Sequence, residues 1–382
     1  MKRFFALLLT LLLLPLACHA EAPDWKAQMD DYVAKRFAAR KIVGGAVVIA
    51  RDGQVLYRYA YGHKTQSRRE QVTADTCYRI ASVTKLVSAV GLMQLLTEKN
   101  IPLDTPVSDI VGYPVVNPAF PGERITIRQV MSHTSSLVQT QYYHPNWETL
   151  KVNNKYFSQK VAPGTAYAYS NLNGGLMGAM IEALSGQSVN TYMQAHVFGP
   201  LGINAAYHMG LLKDQSDMAP QLAKDGTIAE GLSVMLASLP EYNDTCDPRA
   251  NTSHTSGDLC ISANGLIRVI AMLEQGGELD GVRILPKEAV QLMMQDQQTI
   301  PSSSVHCDSE YGLAIARVEG MPGGTWYGHQ GRKHGLSSNV YFQPDTGLSI
   351  AVIANGYEAH AEDNVVTIAR AMMKKAQEFV QE

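Results

Sequence analysis

Apolar and polar positions change their period along this chain, and the changes mark its elements. Residues 44–62, GGAVVIARDGQVLYRYAYG, hold two β-branched and aromatic runs around Asp52-Gly53, which reads as a hairpin. From Ser82 to about Met294 the period becomes helical. Val87, Val90, Leu92 and Leu95 form one apolar group and Leu176, Met180 and Leu184 another, with Gly and Pro punctuating short helices. After Tyr311 the strand pattern returns in YGLAIARV, TWYGHQG, SSNVYFQP and LSIAVIANG, with Asp345-Thr346-Gly347 between the last two. Val365, Ile368, Ala369, Met372 and Ala376 then fall at helical spacing, predicting a terminal helix that covers the sheet. The predicted class is α+β: an antiparallel sheet formed from both chain ends, flanked by helices, with a large mainly helical insertion and a cleft between the two parts.

Composition narrows this picture. With 382 residues, 46% of them hydrophobic and 18% charged, the chain can bury a large core. No repeat, low-complexity tract or Pro/Ser-rich linker divides it. Lys2 and Arg3 precede an apolar run from Phe4 to Ala17, and Cys18-His19-Ala20 ends in a small residue, the pattern of a secretory signal. The expected organisation is a signal peptide at 1–20 and a single domain at 21–382, with a sheet part at 21–81 and 305–382 and a helical part at 82–304. The expected location is periplasmic or secreted, after cleavage near Ala20. Lipidation at Cys18 is disfavoured because Pro15 stands where a bulky aliphatic residue is wanted. The apolar run is shorter than the roughly 20 residues a membrane span needs, and no later segment is apolar enough to span. With 32 basic and 35 acidic residues the net charge is −3, falling to −5 once Lys2 and Arg3 are removed, so the chain lacks the polybasic footprint of a nucleic-acid binder.

Removal of Cys18 leaves Cys77, Cys246, Cys260 and Cys307, an even number in a disulfide-permissive compartment. Of the three pairings, Cys246 with Cys260 is favoured, since the Asn-, Asp-, Ser- and Gly-rich loop between them has little else to order it. Such a closure would contribute about 3 kcal/mol in the chain-entropy description. Cys77 with Cys307 follows by elimination, and two buried thiols stand as the alternative.

Three short patterns carry candidate chemistry. In Ser82-Val83-Thr84-Lys85 a hydroxyl and an amine lie three apart on one helical face, so nucleophile and base are neighbours. One such pair arises by chance in a chain this long. However, the flanking Tyr78-Arg79-Ile80-Ala81 and Leu86-Val87 place the Lys85 amine on a largely apolar helix, where lost hydration lowers its pKa. Tyr169-Ser170-Asn171 pairs a phenol that can relay a proton with an amide that can bind a carbonyl; a core tyrosine and a helix-capping Asn171 are the plainer alternative. His329-Gln330-Gly331 lies on a predicted strand, where glycine lets a substrate approach and a backbone N–H can join that of Ser82 as an oxyanion hole. His208-Met209-Gly210 lacks the strand context and reads as structural. The histidines show no metal-ligand spacing, so no metal and no other cofactor is expected.

Taken in order, Ser82-x-x-Lys85, Tyr169-x-Asn171 and His329-x-Gly331, 87 and 160 residues apart, resemble the serine β-lactamase and penicillin-binding-protein-like superfamily. The resemblance is to the branch of class C β-lactamases and secreted D-alanyl-D-alanine carboxypeptidases. Tyr78-Arg79-Ile80-Ala81-Ser82, Met131-Ser132-His133-Thr134-Ser135-Ser136-Leu137, Pro200-Leu201-Gly202-Ile203 and Tyr311-Gly312-Leu313 extend it over nearly the whole chain. It implies the β-lactamase/transpeptidase-like fold and a serine acyl-enzyme hydrolase cleaving D-alanyl peptide or β-lactam amide bonds. Ser82 attacks, Lys85 and Tyr169 together move its proton, and the Ser82 and Arg332 N–H groups hold the oxyanion. Asn171, His329, Gly331 and Arg332 are the expected substrate contacts, with Arg332 and Lys333 beside a terminal carboxylate and Gln139 or Gln141 as an amide-binding side chain at the rim. His133 reads as structural.

Three departures bear on substrate. His329 stands where β-lactamases carry lysine, Gln330 replaces a small hydroxyl residue, and Gly257-Asp258-Leu259-Cys260-Ile261-Ser262 replaces a more glycine-rich segment. An esterase of the same superfamily, or a sensor of β-lactams or wall peptides that deacylates slowly, are the competing readings. The expected partner is a small-molecule or peptide substrate such as a peptidoglycan stem peptide, and a monomer is expected.

Overall fold

The computed structural model describes residues 24–138, 150, 154–239, 242, 244–250, 253–297, 311–362 and 365–380. Its main sheet is antiparallel, in the order β6 (Ala316–Val318), β7 (Trp326–Lys333), β8 (Leu336–Gln343), β9 (Leu348–Asn355), β1 (Gly44–Arg51), β2 (Gln54–Gly62). The two chain ends meet at its centre, where β1 pairs with β9 from Gly44↔Asn355 to Arg51↔Leu348. Both sheet faces are covered, so β8 and β9 are buried along their whole length, and LSIAVIAN reads as a continuous apolar run.

On one face α1 (Trp25–Ala39) and the terminal α6 (Thr367–Val380) bring Met29, Val33, Phe37, Ile368 and Met372 against Val47, Ile49, Ile350 and Val352. On the other, α2 (Val83–Glu98) and α5 (Ala263–Glu274) pack with the helical region against Ala46, Val48, Val340, Ala351 and Ile353. The remaining long helix is α4 (Asn171–Ser185), and a short α3 (Ile127–Met131) precedes the His133 turn. The expected α+β class, with its sheet drawn from both chain ends, is observed.

Periodicity did not disclose a second, three-stranded sheet, β3 (Cys77–Arg79) to β5 (Cys260–Ser262) to β4 (Ala205–Ala206). Strands of two or three residues are too short to show a period. This sheet overturns the Cys246–Cys260 pairing. Cys260 is drawn into β5 and buried with Cys77, Met209, Met218 and Met235, whereas Cys246 is exposed, its Sγ 3.5 Å from the Glu182 carbonyl; all three cysteines are free thiols. The loop is ordered instead by the Glu182 carboxylate, which accepts the Asp247 N–H at 3.1 Å. Cys77 is likewise unbridged, and its proposed partner Cys307 lies outside the described residues, as do Cys18 and the 1–20 segment. Burial pushes the Cys77 thiol up to about 12, which makes it a poor nucleophile. In a Cys18→Ser/Cys307→Ser variant, a chromogenic disulfide reagent is expected to titrate Cys246 at once, and Cys77 and Cys260 only on unfolding. Absence of free thiol after unfolding would contradict this arrangement.

Candidate active site

Strand β3 leads into Ser82. The chain leaves Arg79 and turns through Ala81, whose φ of +50° is left-handed and so strained for a residue with a side chain, into Ser82 at the N-cap of α2. A serine at this position normally caps its own helix. Ser82 makes no such bond, and its Oγ accepts from Lys85 Nζ at 3.3 Å, one turn on. The turn is pinned from two sides: Ile80 donates its N–H to the Leu259 carbonyl at 2.9 Å, and Ser338 of β8 donates to the Ile80 carbonyl.

Lys85 is 0% exposed. Besides Ser82 it donates to Asn171 Oδ1 at 2.6 Å and to the Ser256 carbonyl at 2.7 Å. Burial pushes its amine down to about 7, with the Asp258 carboxylate as the opposing influence. Asn171 therefore does not cap α4. Ser170 does, accepting the Leu172 N–H, and the Asn171 amide faces Lys85. α4 can come this close because residue 174 lacks a side chain: a Cβ there would lie 2.9 Å from Ser256 Cα and 3.1 Å from Lys85 Cε. Ser256 and Thr255 fasten the contact by donating to the Asn171 and Gly174 carbonyls, each at 2.6 Å.

Tyr169 stands over the amine, with Lys85 Nζ 5.1 Å from its ring centroid. Behind it the His133 ring lies 4.3 Å away, tilted by 38°. His133 Nδ1 accepts the Ser170 N–H at 3.3 Å and the Asn173 amide at 2.9 Å, so the proton of the neutral ring is on Nε2. Burial first, and then the neighbouring Lys85, keep its pKa well below the ordinary value. The ring thus works as a hydrogen-bonded strut for the Tyr169 turn.

The third pattern lies on β7, and the pleat sorts its side chains. Gly331 passes so close to the Ser82 turn that a Cβ would lie 2.4 Å from the Ile80 carbonyl and 2.9 Å from Ser82 N. His329, on the same face, is buried. Its Nδ1 donates to the Gln330 carbonyl at 2.7 Å, and its Nε2 accepts from Tyr311 OH at 3.0 Å. Burial, with Lys85 adding to it, pushes its pKa to about 3, so the ring is neutral and supplies no cation for a substrate carboxylate. Arg332 pairs in register with Ser337, on the face opposite Gly331 and Ser338, and is exposed. Its side chain therefore lies on the sheet face opposite Gly331. Lys333 returns to the inner face, half-buried; burial and the neighbouring Arg79 lower its pKa, with Asp258 and Glu230 opposing. Gln139 and Gln141 lie outside the described residues.

Sequence reading did not single out Ser256, which acts through a backbone carbonyl and so leaves no side-chain signature. It also passed over Asn173, Tyr311 and the Arg79–Asp258 pair, although an aspartate directly before the apolar Leu259-Cys260-Ile261 was a visible signal. Among the described residues no group of His, Cys, Asp or Glu is placed to hold a metal ion.

The Beta-lactamase family matches residues 29–371 of this chain. Penicillin-binding protein 4 of Amycolatopsis lactamdurans is 26% identical over 323 residues, 82% of this chain and 81% of that one. Esterase EstB of Burkholderia gladioli is 26% identical over 212 residues, 50% of this chain and 53% of that one. A penicillin-binding protein homologue from Caulobacter crescentus shares the fold at a TM-score of 0.73 and 19% identity, over 93% of this chain and 97% of that one.

Gly331→Ala tests the close approach of β7 to Ser82. A displacement on the ångström scale there is expected to slow hydrolysis about 10²-fold while the far-UV circular dichroism stays unchanged. Wild-type rates in a folded variant would contradict the geometry.

Proposed function

The chain belongs to the β-lactamase family, and from that premise we propose that it is a serine acyl-enzyme hydrolase cleaving D-alanyl peptide or β-lactam amide bonds. One observation carries the reading: a fully buried lysine, its pKa near 7, hydrogen-bonded to a serine hydroxyl that does not cap its own helix. Ser82 Oγ attacks the carbonyl carbon. The neutral Lys85 amine takes its proton, directly or through Tyr169, and returns it to the leaving nitrogen as the C–N bond breaks. The N–H groups of Ser82 and Arg332 hold the oxyanion, each worth about 3 kcal/mol in comparable sites. Water then attacks the acyl carbonyl and frees Ser82. A peptide substrate is supported by β7 itself: it lies one strand in from the sheet edge, β6 pairs only with its Trp326–Gly328 stretch, and an extended chain can align along the remainder of the strand. The signal pattern ahead of residue 21 supports action in the periplasm or outside the cell.

A carboxylic-ester substrate is the second reading. It is favoured by the neutral His329 and the outward Arg332, which leave Lys333 as the cation of this strand's inner face, already shared with Asp258 and Glu230.

Intact-mass spectrometry after mixing with a penicillin, an ester and a D-alanyl-D-alanine peptide separates these readings, and an acyl adduct on Ser82 is expected. Ser82→Ala is expected to lose both adduct and turnover while remaining folded; undiminished hydrolysis would refute the nucleophile. The pH dependence has a definite sign. Below about 7 Lys85 is an ammonium and cannot accept a proton, so kcat/KM for an uncharged ester is expected to fall on the acid side with an apparent pKa near 7. A profile flat through that range would remove Lys85 as the base.

A further inference from the structure

Beneath the Ser82 turn lies a cluster of charges that the acyl-transfer steps above do not use. Arg79, three residues before Ser82, sends Nε to Asp258 Oδ1 at 2.9 Å, with Nη2 on the same oxygen, and Nη1 to Glu230 at 3.1 Å. Asp258 Oδ2 meets His254 Nδ1 at 3.2 Å. Lys333 of β7 faces the same group, repelled by Arg79 and attracted by Asp258 and Glu230. Arg79 and Asp258 are only 19% and 26% exposed at the side chain, so their attraction is less screened than that of a surface pair.

The two residues sit on the two backbones that carry the acyl-transfer groups. Arg79 ends the strand leading into Ser82. Asp258 follows by two residues Ser256, whose carbonyl holds Lys85 Nζ at 2.7 Å. The segments are joined again one step further on, by the Ile80 N–H to the Leu259 carbonyl at 2.9 Å and by the Leu259 N–H to Thr84 Oγ1 at 3.3 Å. Resting on the reading of Ser82 as nucleophile and Lys85 as base, we propose that Arg79 and Asp258 are positioning residues for the reaction: their ion pair fixes the Ser82 turn against the carbonyl that holds the Lys85 amine, and the Asp258 carboxylate tunes that amine through space.

The geometry explains why a fork is used rather than a point charge. The planar guanidinium reaches Asp258 and Glu230 at once, so it sets a distance and an angle between β3, the 228–230 strand and the 253–258 segment. The sign of the field is equally definite. Among the described residues the titratable and charged groups facing Lys85 are Asp258, His133, His329 and Tyr169. Both histidines are held neutral by burial and by Lys85 itself. Asp258 stays ionised: burial alone would push its carboxyl up, but His254, Arg79 and Lys333 hold it well below the usual carboxylate range. It is therefore the negative charge that supports the protonated form of Lys85.

The test measures ester turnover against pH for wild type, Asp258→Asn, Asp258→Glu and Arg79→Lys, with KM and kcat separated and Ser82 labelling by a fluorophosphonate followed in parallel. Asp258→Asn is expected to move the acid limb of kcat/KM to lower pH and to lower kcat about 10- to 100-fold with KM little changed. Asp258→Glu is expected to bring the limb back. Arg79→Lys keeps the charge but loses the fork, so kcat falls while the limb stays where it is in wild type. An unmoved limb in a folded Asp258→Asn protein, whether active or impaired, would overturn the proposal. Should that variant fail to fold, wild-type kcat in Arg79→Lys would overturn it instead. Loss of labelling in wild type would instead refute the nucleophile assignment, so the two failures are distinguishable.

Discussion

The structure depends on one buried amine. Taking an ammonium out of water costs several kcal/mol even after the protein relaxes, and the cost is tolerable only where every donor finds an acceptor. Lys85 finds three, and they come from parts of the chain far apart in sequence: the first turn of its own helix, the start of α4, and the backbone at Ser256. Satisfying them holds α2, α4 and the 253–258 segment in one arrangement. Residue 174 must then be glycine, because the space of a side chain there is already filled by Ser256 and Lys85. Here packing and site geometry are one problem, since the contacts that close this part of the interior also set the Ser82 hydroxyl beside the Lys85 amine.

The same burial determines the state of the neighbours. A cation beside a second titratable ring favours the neutral ring, and His133 and His329 both lie within the influence of Lys85. Each resolves its hydrogen bonding as a neutral imidazole, His133 accepting from Ser170 and Asn173, His329 donating to Gln330 and accepting from Tyr311. A histidine in place of the lysine more usual at this strand position thus alters the electrostatics of the inner face. Positive charge enters further along β7, at Lys333, where it is balanced by Asp258 and Glu230.

Much of this was legible in the sequence, and the limits of that reading have physical causes. Long elements announce themselves by period, so the sheet built from both ends and the covering terminal helix were readable from residues such as Val352, Ile353, Ile368 and Met372. Ser82, Lys85, Tyr169 and Asn171 could be singled out by the functional groups of their side chains, and the structure brings the four together. Ser256 holds Lys85 through its backbone carbonyl, and nothing about a serine side chain predicts that. The loop between Cys246 and Cys260 suggested a bridge, but proximity in sequence does not survive when one partner is drawn into a strand; β5 is too short to have been seen. Arg332 was misplaced for a related reason. A motif read as a string ignores the pleat, whereas alternate residues of a strand face opposite sides.

That alternation also determines which side chains face Ser82. The frame leaves little to vary there, since Gly331 packs against Ile80 and Ser82 and its neighbours are held by β8. The inward positions of β7 on either side of it are His329 and Lys333, one a neutral hydrogen-bonding ring backed by Tyr311, the other a cation embedded among carboxylates. A substrate carboxylate reaching Lys333 must compete with Asp258 and Glu230, whereas a neutral ester or an internal peptide segment meets no such competition. Discrimination between these groups is then a matter of how tightly Arg79 occupies the same two acids. In the proposed reading, the residue that positions Ser82 thereby also sets how much of the Lys333 charge is available to a substrate.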